Sequence, residues 1–233
     1  MALLNLTYAQ DAIRYVRDTM QIKAANRTLD GVSQEQFTSA LEVKNSHEDV
    51  LAASIVDNDG LLALVAEAKA AVQTRIGNCQ AMAALAVAYL AARQVYPLRL
   101  MGFSGGDATV PLQGTTPVTG QVVPPNTFTH RLIPGRSALK EGNAAFERVA
   151  KFEPDHAVCV IGPVTGNAAN LVWGKDTVIC DPWARRAYFA TELADESRLI
   201  AKVTGGFTAM SCTATIAGGT DWNTTWNPPN VIQ

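Results

Sequence analysis

Apolar positions along the first third of the chain recur at helical spacing. Leu6, Ile13, Val16 and Met20 keep to one stripe, which predicts a first helix. Ser33 and Gln36 have the spacing of a capping box and predict the start of a second. Ser46 is placed to cap a third over HEDVLAASIV, and Asp59-Gly60 introduces a fourth, LLALVAEAKAAVQTRI. A fifth starts at or just after Cys79 and ends near Arg93, because AMAALAVAYLAAR is apolar on every side. Such a helix lies inside a protein, and its many alanines allow close approach, so it is predicted to be central. Beyond it the pattern changes. PLRLMGF (97–103), TFTHRLI (127–133), HAVCVIG (156–162) and DTVICD (176–181) read as strands by their β-branched and aromatic content. Between the first two, residues 104–126 are rich in Gly, Pro and Thr and long for a connection, which predicts a lid or an ornamented loop.

Helices followed by strands describe an α+β chain, predicted as one compact domain over residues 1–233. Residues 1–75 would form a helical N-terminal lobe, and 76–233 a core in which the Cys79 helix packs on an antiparallel sheet. Composition agrees: 48% hydrophobic and 17% charged residues are what a well-packed globular domain carries. A net charge of −2 and a pI near 5.9 supply no basic field, so neither nucleic acid nor an anionic membrane is an expected partner. The longest apolar run, Ala81 to Ala92, falls short of the roughly 20 residues that span a bilayer. The N-terminus, MALLNLTYAQDAIRYV, has neither a basic n-region nor an uninterrupted apolar h-region and reads as the first helix; export would need another route or a larger parent chain. Cys79, Cys159, Cys180 and Cys212 are widely spaced with no CxxC pair, which argues against a zinc cage and a disulfide scaffold and suits a reducing compartment.

Three segments carry chemistry together. GNCQAMAAL puts Cys79 at a helix start, DHAVCVIG puts His156 at the head of a strand, and VICDPWA puts Asp181 at the end of the next. A thiol at a helix N-terminus faces unpaired backbone N–H groups and the positive end of the dipole, which favour the thiolate. The same N–H groups can donate to an oxyanion. If the two strands form an antiparallel hairpin, His156 and Asp181 are cross-strand neighbours at one end of it, with Cys159 and Cys180 on the opposite, core face. An Asp beside a His fixes the ring tautomer and stabilises the imidazolium. Pro182 would end the ladder, and Trp183 could cover the imidazole from water.

In this order, Cys, then His on a strand, then Asp before Pro-Trp, the chain resembles papain-like and transglutaminase-like thiol enzymes. In particular it resembles the Cys-His-Asp deamidase and protease domains of bacterial toxins and secreted effectors. The resemblance covers roughly residues 75 to 190 and implies a papain-like fold. It implies Cys79 as nucleophile, His156 as general base and acid, and Asp181 as the orienting carboxylate. The thiolate attacks a glutamine carboxamide or a peptide carbonyl, a thioester forms, and water completes hydrolysis. For the oxyanion hole the candidates are Gln73, by its spacing before the cysteine, and the Cys79 backbone with Asn78 or Gln80. Neither metal nor organic cofactor is implied. The expected partner is a protein substrate, met by a monomer of bacterial origin that is secreted or delivered into a target cell without a signal peptide, or that belongs to a larger toxin.

Each of these residues also has a plainer reading. A lone Cys before an apolar helix is usually packing, and a lone His heading a strand is usually structural; the three together favour catalysis. His130 in TFTHRLIP is the rival base, but no Asp-Pro-Trp follows it on a neighbouring strand. His47 follows a helix cap and reads as solvated, Cys212 as core, and the Trp222/Trp226 pair as a packed tail. The favoured reaction is protein-glutamine deamidation, with loop 104–126 walling a narrow cleft. A cysteine protease would need an open groove, a transglutaminase an amine in place of water, and a catalytically silent binding module would use the cleft without turnover.

Overall fold

The computed structural model describes residues 2–24, 30–33, 35–36, 38–40, 42–43, 46, 61–104, 108–112, 131–140, 147–153, 155–166, 172–193, 196, 209–216, 226 and 228–231, with 61–63, 104, 108–112, 131–140, 147–153, 155 and 209–216 described as backbone alone. Helix α1 (Ala2–Arg14) runs on into a wider π turn over Tyr15–Thr19. It buries Ala9, Ala12, Ile13, Tyr15, Val16 and Met20, which include most of the stripe written in the sequence.

The capping box at Ser33 forms as its spacing predicts. The Gln36 N–H donates to Ser33 Oγ at 3.2 Å and the Ser33 N–H donates to Gln36 Oε1 at 2.9 Å. The described residues that follow, through Ser46, are helical. Ser46 therefore stands inside a helix, and the third helix predicted after it lies outside the described residues. The fourth is α2, Leu61–Thr74. It stops two residues short of the predicted end, because Arg75 takes a left-handed φ of 59° and Ile76–Gly77 form a short strand, β2. Strand β2 pairs in parallel with β1 (Lys23–Ala24) and so ties the end of the first helical segment to the residues just before Cys79.

Helix α3 is Cys79–Ala92, with Arg93 as its C-cap. Every residue from Ala81 to Ala91 is buried, as an all-apolar helix requires. It packs on α2, on β3 (Leu98–Ser104) and on β7 (Asp155–Ile161), while α1 packs on β10 (Val178–Asp181) and β11 (Arg186–Phe189). The N-terminal helix thus shares one apolar core with the sheet.

That sheet has five strands in the order β11-β10-β7-β3-β12, every neighbour antiparallel, with β12 spanning Ala209–Ile216. A second, three-stranded antiparallel sheet has β6 (Glu147–Glu153) between β4 (Ala108–Leu112) and β5 (Arg131–Lys140). Two predictions change here. The segment 104–126 is not all loop, since it contains β4; of the strand predicted over 127–133, residues 131–133 are strand and belong to β5, which runs to Lys140, while 127–130 lie outside the described residues. Neither β4 nor β6 has the clean alternation that a half-buried strand shows, so pattern alone passes over them.

The connection between β7 and β10 carries its own ribbon, β8 (Val164–Thr165) with β9 (Val172–Trp173). It leaves β7 through Gly162, whose φ of 106° suits only glycine without strain. Thr177 closes it by donating its hydroxyl to the Pro163 carbonyl at 2.6 Å. A long connection is thereby made to deliver β10 back beside β7.

Candidate active site

The site begins with the question of what starts α3. Asn78 is extended and acts as N-cap: its Oδ1 accepts from the Ala81 N–H at 2.9 Å, and its carbonyl accepts from the Met82 N–H at 3.1 Å. Of the N–H groups at the helix start, those of Cys79 and Gln80 are then the two that helix geometry does not pair. Gly77 lets the backbone approach closely, since a Cβ there would come within 3.1 Å of the Ala81 side chain. The Gly-Asn pair before Cys79 is thus a cap and a close approach, and it presents the thiol, partly exposed, at the positive end of a buried helix.

The second part is built by register. Val178, Ile179 and Cys180 of β10 pair with Ile161, Val160 and Cys159 of β7. Continued by one step, the ladder sets Asp181 against Val158, and by two more it sets Trp183 against His156. His156 and Asp181 therefore share a face as a diagonal pair, offset by one alternation from the direct cross-strand pair predicted from sequence. The diagonal is bridged: His156 Nε2 and Asp181 Oδ2 are 2.6 Å apart. Cys159 and Cys180 lie on the opposite face, where Cys180 donates to the Ala9 carbonyl of α1 at 3.5 Å.

Asp181 has a second task that the sequence reading missed. Its Oδ1 accepts from the Ala184 N–H at 2.9 Å and so shapes the four-residue turn, Pro182 to Arg185, that joins β10 to β11. The Asp-Pro pair is the signal that points to this turn. One carboxylate thus holds the imidazole with one oxygen and its own turn with the other. That turn brings Trp183 against the imidazole edge-to-face, with ring centroids 5.7 Å apart. On the other side of His156, β3 places Phe103 directly across the strand.

Burial gives this pair its electrostatics. His156 is 3% exposed, Asp181 is 0% and Trp183 is 5%, so water screens the pair little. Desolvation alone would push the imidazole toward its neutral form. The charge and hydrogen bond of Asp181, with a further hydrogen bond and charge from Cys79, outweigh it and raise the His156 pKa to about 10. The thiol, the imidazole and the carboxylate are therefore one interacting set. Asp181 holds Nε2, so any proton exchange with Cys79 would pass through Nδ1.

The remaining candidates are placed as follows. Asn78 accepts through its side-chain oxygen in the cap, and Gln80 donates its amide to Glu67 Oε1 of α2 at 3.3 Å. Gln73 is exposed in the last turn of α2. The backbone N–H groups of Cys79 and Gln80 also lie at this helix start. Cys212 falls on β12. Trp226 packs partly buried against the core. His47, His130 and Trp222 lie outside the described residues.

Among the described residues, no three His, Cys, Asp or Glu side chains group as metal ligands, and no helix is long and apolar enough to cross a membrane. Comparison with models of known protein families, with curated proteins and with solved structures finds no match to this chain.

Proposed function

We propose that the protein is a papain-like thiol hydrolase acting on other proteins, with Cys79 as nucleophile, His156 as general base and acid, and Asp181 as the orienting carboxylate. The reaction we favour is hydrolysis of a glutamine side-chain amide. The observation that carries the reading is one buried imidazole held by the carboxylate of Asp181, with Cys79, at the start of a buried helix, near enough to help raise its pKa. Packing alone does not require a fully buried carboxylate to hold a histidine beside a cysteine at a helix N-terminus.

The chemistry follows from the geometry. His156 takes the thiol proton, and the resulting thiolate attacks the carboxamide carbon. The oxygen, now negative, is received by the N–H groups of Cys79 and Gln80. The tetrahedral adduct collapses as the imidazolium gives its proton to the departing nitrogen, so that ammonia leaves and a thioester remains on Cys79. Water, deprotonated by the neutral imidazole, attacks the thioester; the carboxylic acid leaves and the thiol is restored. Through both halves Asp181 keeps Nε2–H directed at itself and stabilises each imidazolium.

The side-chain amide is favoured over a peptide bond because the site reaches the surface through Cys79 while His156, Asp181 and Trp183 are buried. A terminal carboxamide can enter end-on; an extended backbone needs an open groove on both sides of the thiol.

The test is the pH dependence of iodoacetamide alkylation, read by peptide mass spectrometry, in wild type and His156→Ala. Fast and selective labelling of Cys79 below neutral pH, lost without His156, is the expected result. It should be followed by ammonia release from glutamine-bearing proteins without chain cleavage. Cleavage instead of ammonia release would make the same site a cysteine protease, and incorporation of an added amine would make it a transglutaminase. Labelling at the rate of an ordinary thiol, indifferent to His156, would overturn the hydrolase reading and leave a binding module.

A further inference from the structure

Cys159 and Cys180 are separated by a connection with its own ribbon, yet the register makes them direct partners across β7 and β10. Directly opposite residues of an antiparallel pair have Cα atoms about 4.5 to 5.5 Å apart, which lies inside the span a disulfide bridges. Both thiols are free, both are completely buried, and both stand on the face turned away from His156. Burial, with Cys159 beside it, holds the Cys180 thiol well above its ordinary pKa. Two thiols so shielded from solvent are inert to oxidants once the fold has closed.

We propose that Cys159 and Cys180 form a cross-strand disulfide when the chain folds in the presence of a low-molecular-weight disulfide, and remain a buried dithiol when it folds in reducing surroundings. In the open chain, the thiolate of one cysteine attacks a sulfur of the small disulfide and releases one small thiol, which leaves a mixed disulfide on the protein. When β7 and β10 pair, the second cysteine, as thiolate, attacks the protein sulfur of that mixed disulfide. The second small thiol leaves and the protein disulfide closes. Two protein thiols are oxidised and one small disulfide is reduced to two thiols, so the exchange balances. The link joins the strands one step from Asp181, on the face opposite the candidate site, and it fastens the register that places Asp181 beside His156. The proposal is independent of the thiol-hydrolase reading, and the two can fail separately.

The experiment refolds the full chain from denaturant in reduced and oxidised glutathione at a series of ratios, blocks remaining thiols with N-ethylmaleimide, and maps the peptides by mass spectrometry. The expected result is a linked Cys159–Cys180 peptide pair, two hydrogens lighter than the dithiol, which grows with the oxidised fraction. The oxidised wild type should also melt several degrees higher than the reduced, a rise removed by added reductant and absent from Cys159→Ala. Cys159 and Cys180 both alkylated at every ratio would overturn the proposal, as would a link from either of them to Cys79 or Cys212. The wild-type peptide map decides the matter even if Cys159→Ala does not fold.

Discussion

The two faces of the β7–β10 pair are built from the same two short strands, and they do opposite things. One face carries His156, Val158, Val160, Ile179 and Asp181, with an ion pair at its end; the other carries Cys159, Ile161, Val178 and Cys180 and packs toward α1. Both are buried. What differs is how polar groups are treated. The thiols tolerate burial as small hydrophobes, and Cys180 adds a weak hydrogen bond to a carbonyl. The imidazole and carboxylate tolerate it only because each is the other's partner and the Asp181 turn satisfies the second oxygen. Strand alternation thus sorts the ion-paired set from the thiols with a single residue of separation, and a slip of one position would exchange them.

The sharpest way to break this contrast is Asp181→Asn. The two carboxylate oxygens accept from different groups, and an amide has only one oxygen, so either the turn or the imidazole loses its acceptor. By analogy with other triads the turnover should fall by about 10⁴-fold, measured as amide hydrolysis. Fast alkylation of Cys79 should fall with it. A variant that keeps both would show that Asp181 serves the turn alone.

Next comes pH. His156 has its pKa raised from 6.5 to about 10 in the folded protein, so the folded state holds this proton more tightly than the unfolded chain does. Its contribution to stability is complete below about pH 6.5 and is lost as pH rises through about 10. Urea unfolding of wild type and His156→Gln across that window should show the difference between them change in this direction. A difference independent of pH would remove the charged imidazole from the account.

The opposite face should answer differently. Cys180→Ala removes a buried sulfur but no charge, and it should cost about 1 kcal/mol in denaturant unfolding. Under reducing conditions the rate of Cys79 alkylation should not change. Coupling between the two would mean that the sheet does not insulate its faces. The smallest effect is expected outside both: Arg185→Ala cuts an ion pair with Asp18 in which both partners are half exposed, and should shift stability by no more than about 0.5 kcal/mol.

Much of this was legible one residue at a time. The Gly-Asn before Cys79 reads as a helix start and is one; the Ser33/Gln36 box closes; the apolar stretch after Cys79 is buried on every side. The alternation in HAVCVIG and VICD separates His156 and Asp181 from the two core cysteines without any structure. These signals are local: caps, periods and turn residues act within a few positions of themselves, so the order of residues is enough to state them.

The offset between His156 and Asp181 was not legible, because the register of two strands depends on the ribbon folded between them as well as on their own pattern. The same holds for the placing of Trp183 against the imidazole and for the capture of Gln80 by Glu67, since each joins elements that are distant in the chain. Strands β4, β6 and β11 were hidden for a related reason: each is fixed by pairing with a strand elsewhere in the chain. By itself the sequence determined which residues could be reactive and where each local element begins. Only the tertiary structure decided which of them meet, since contact is set by strand register and by helix packing against a shared core, and both are sums over the whole chain.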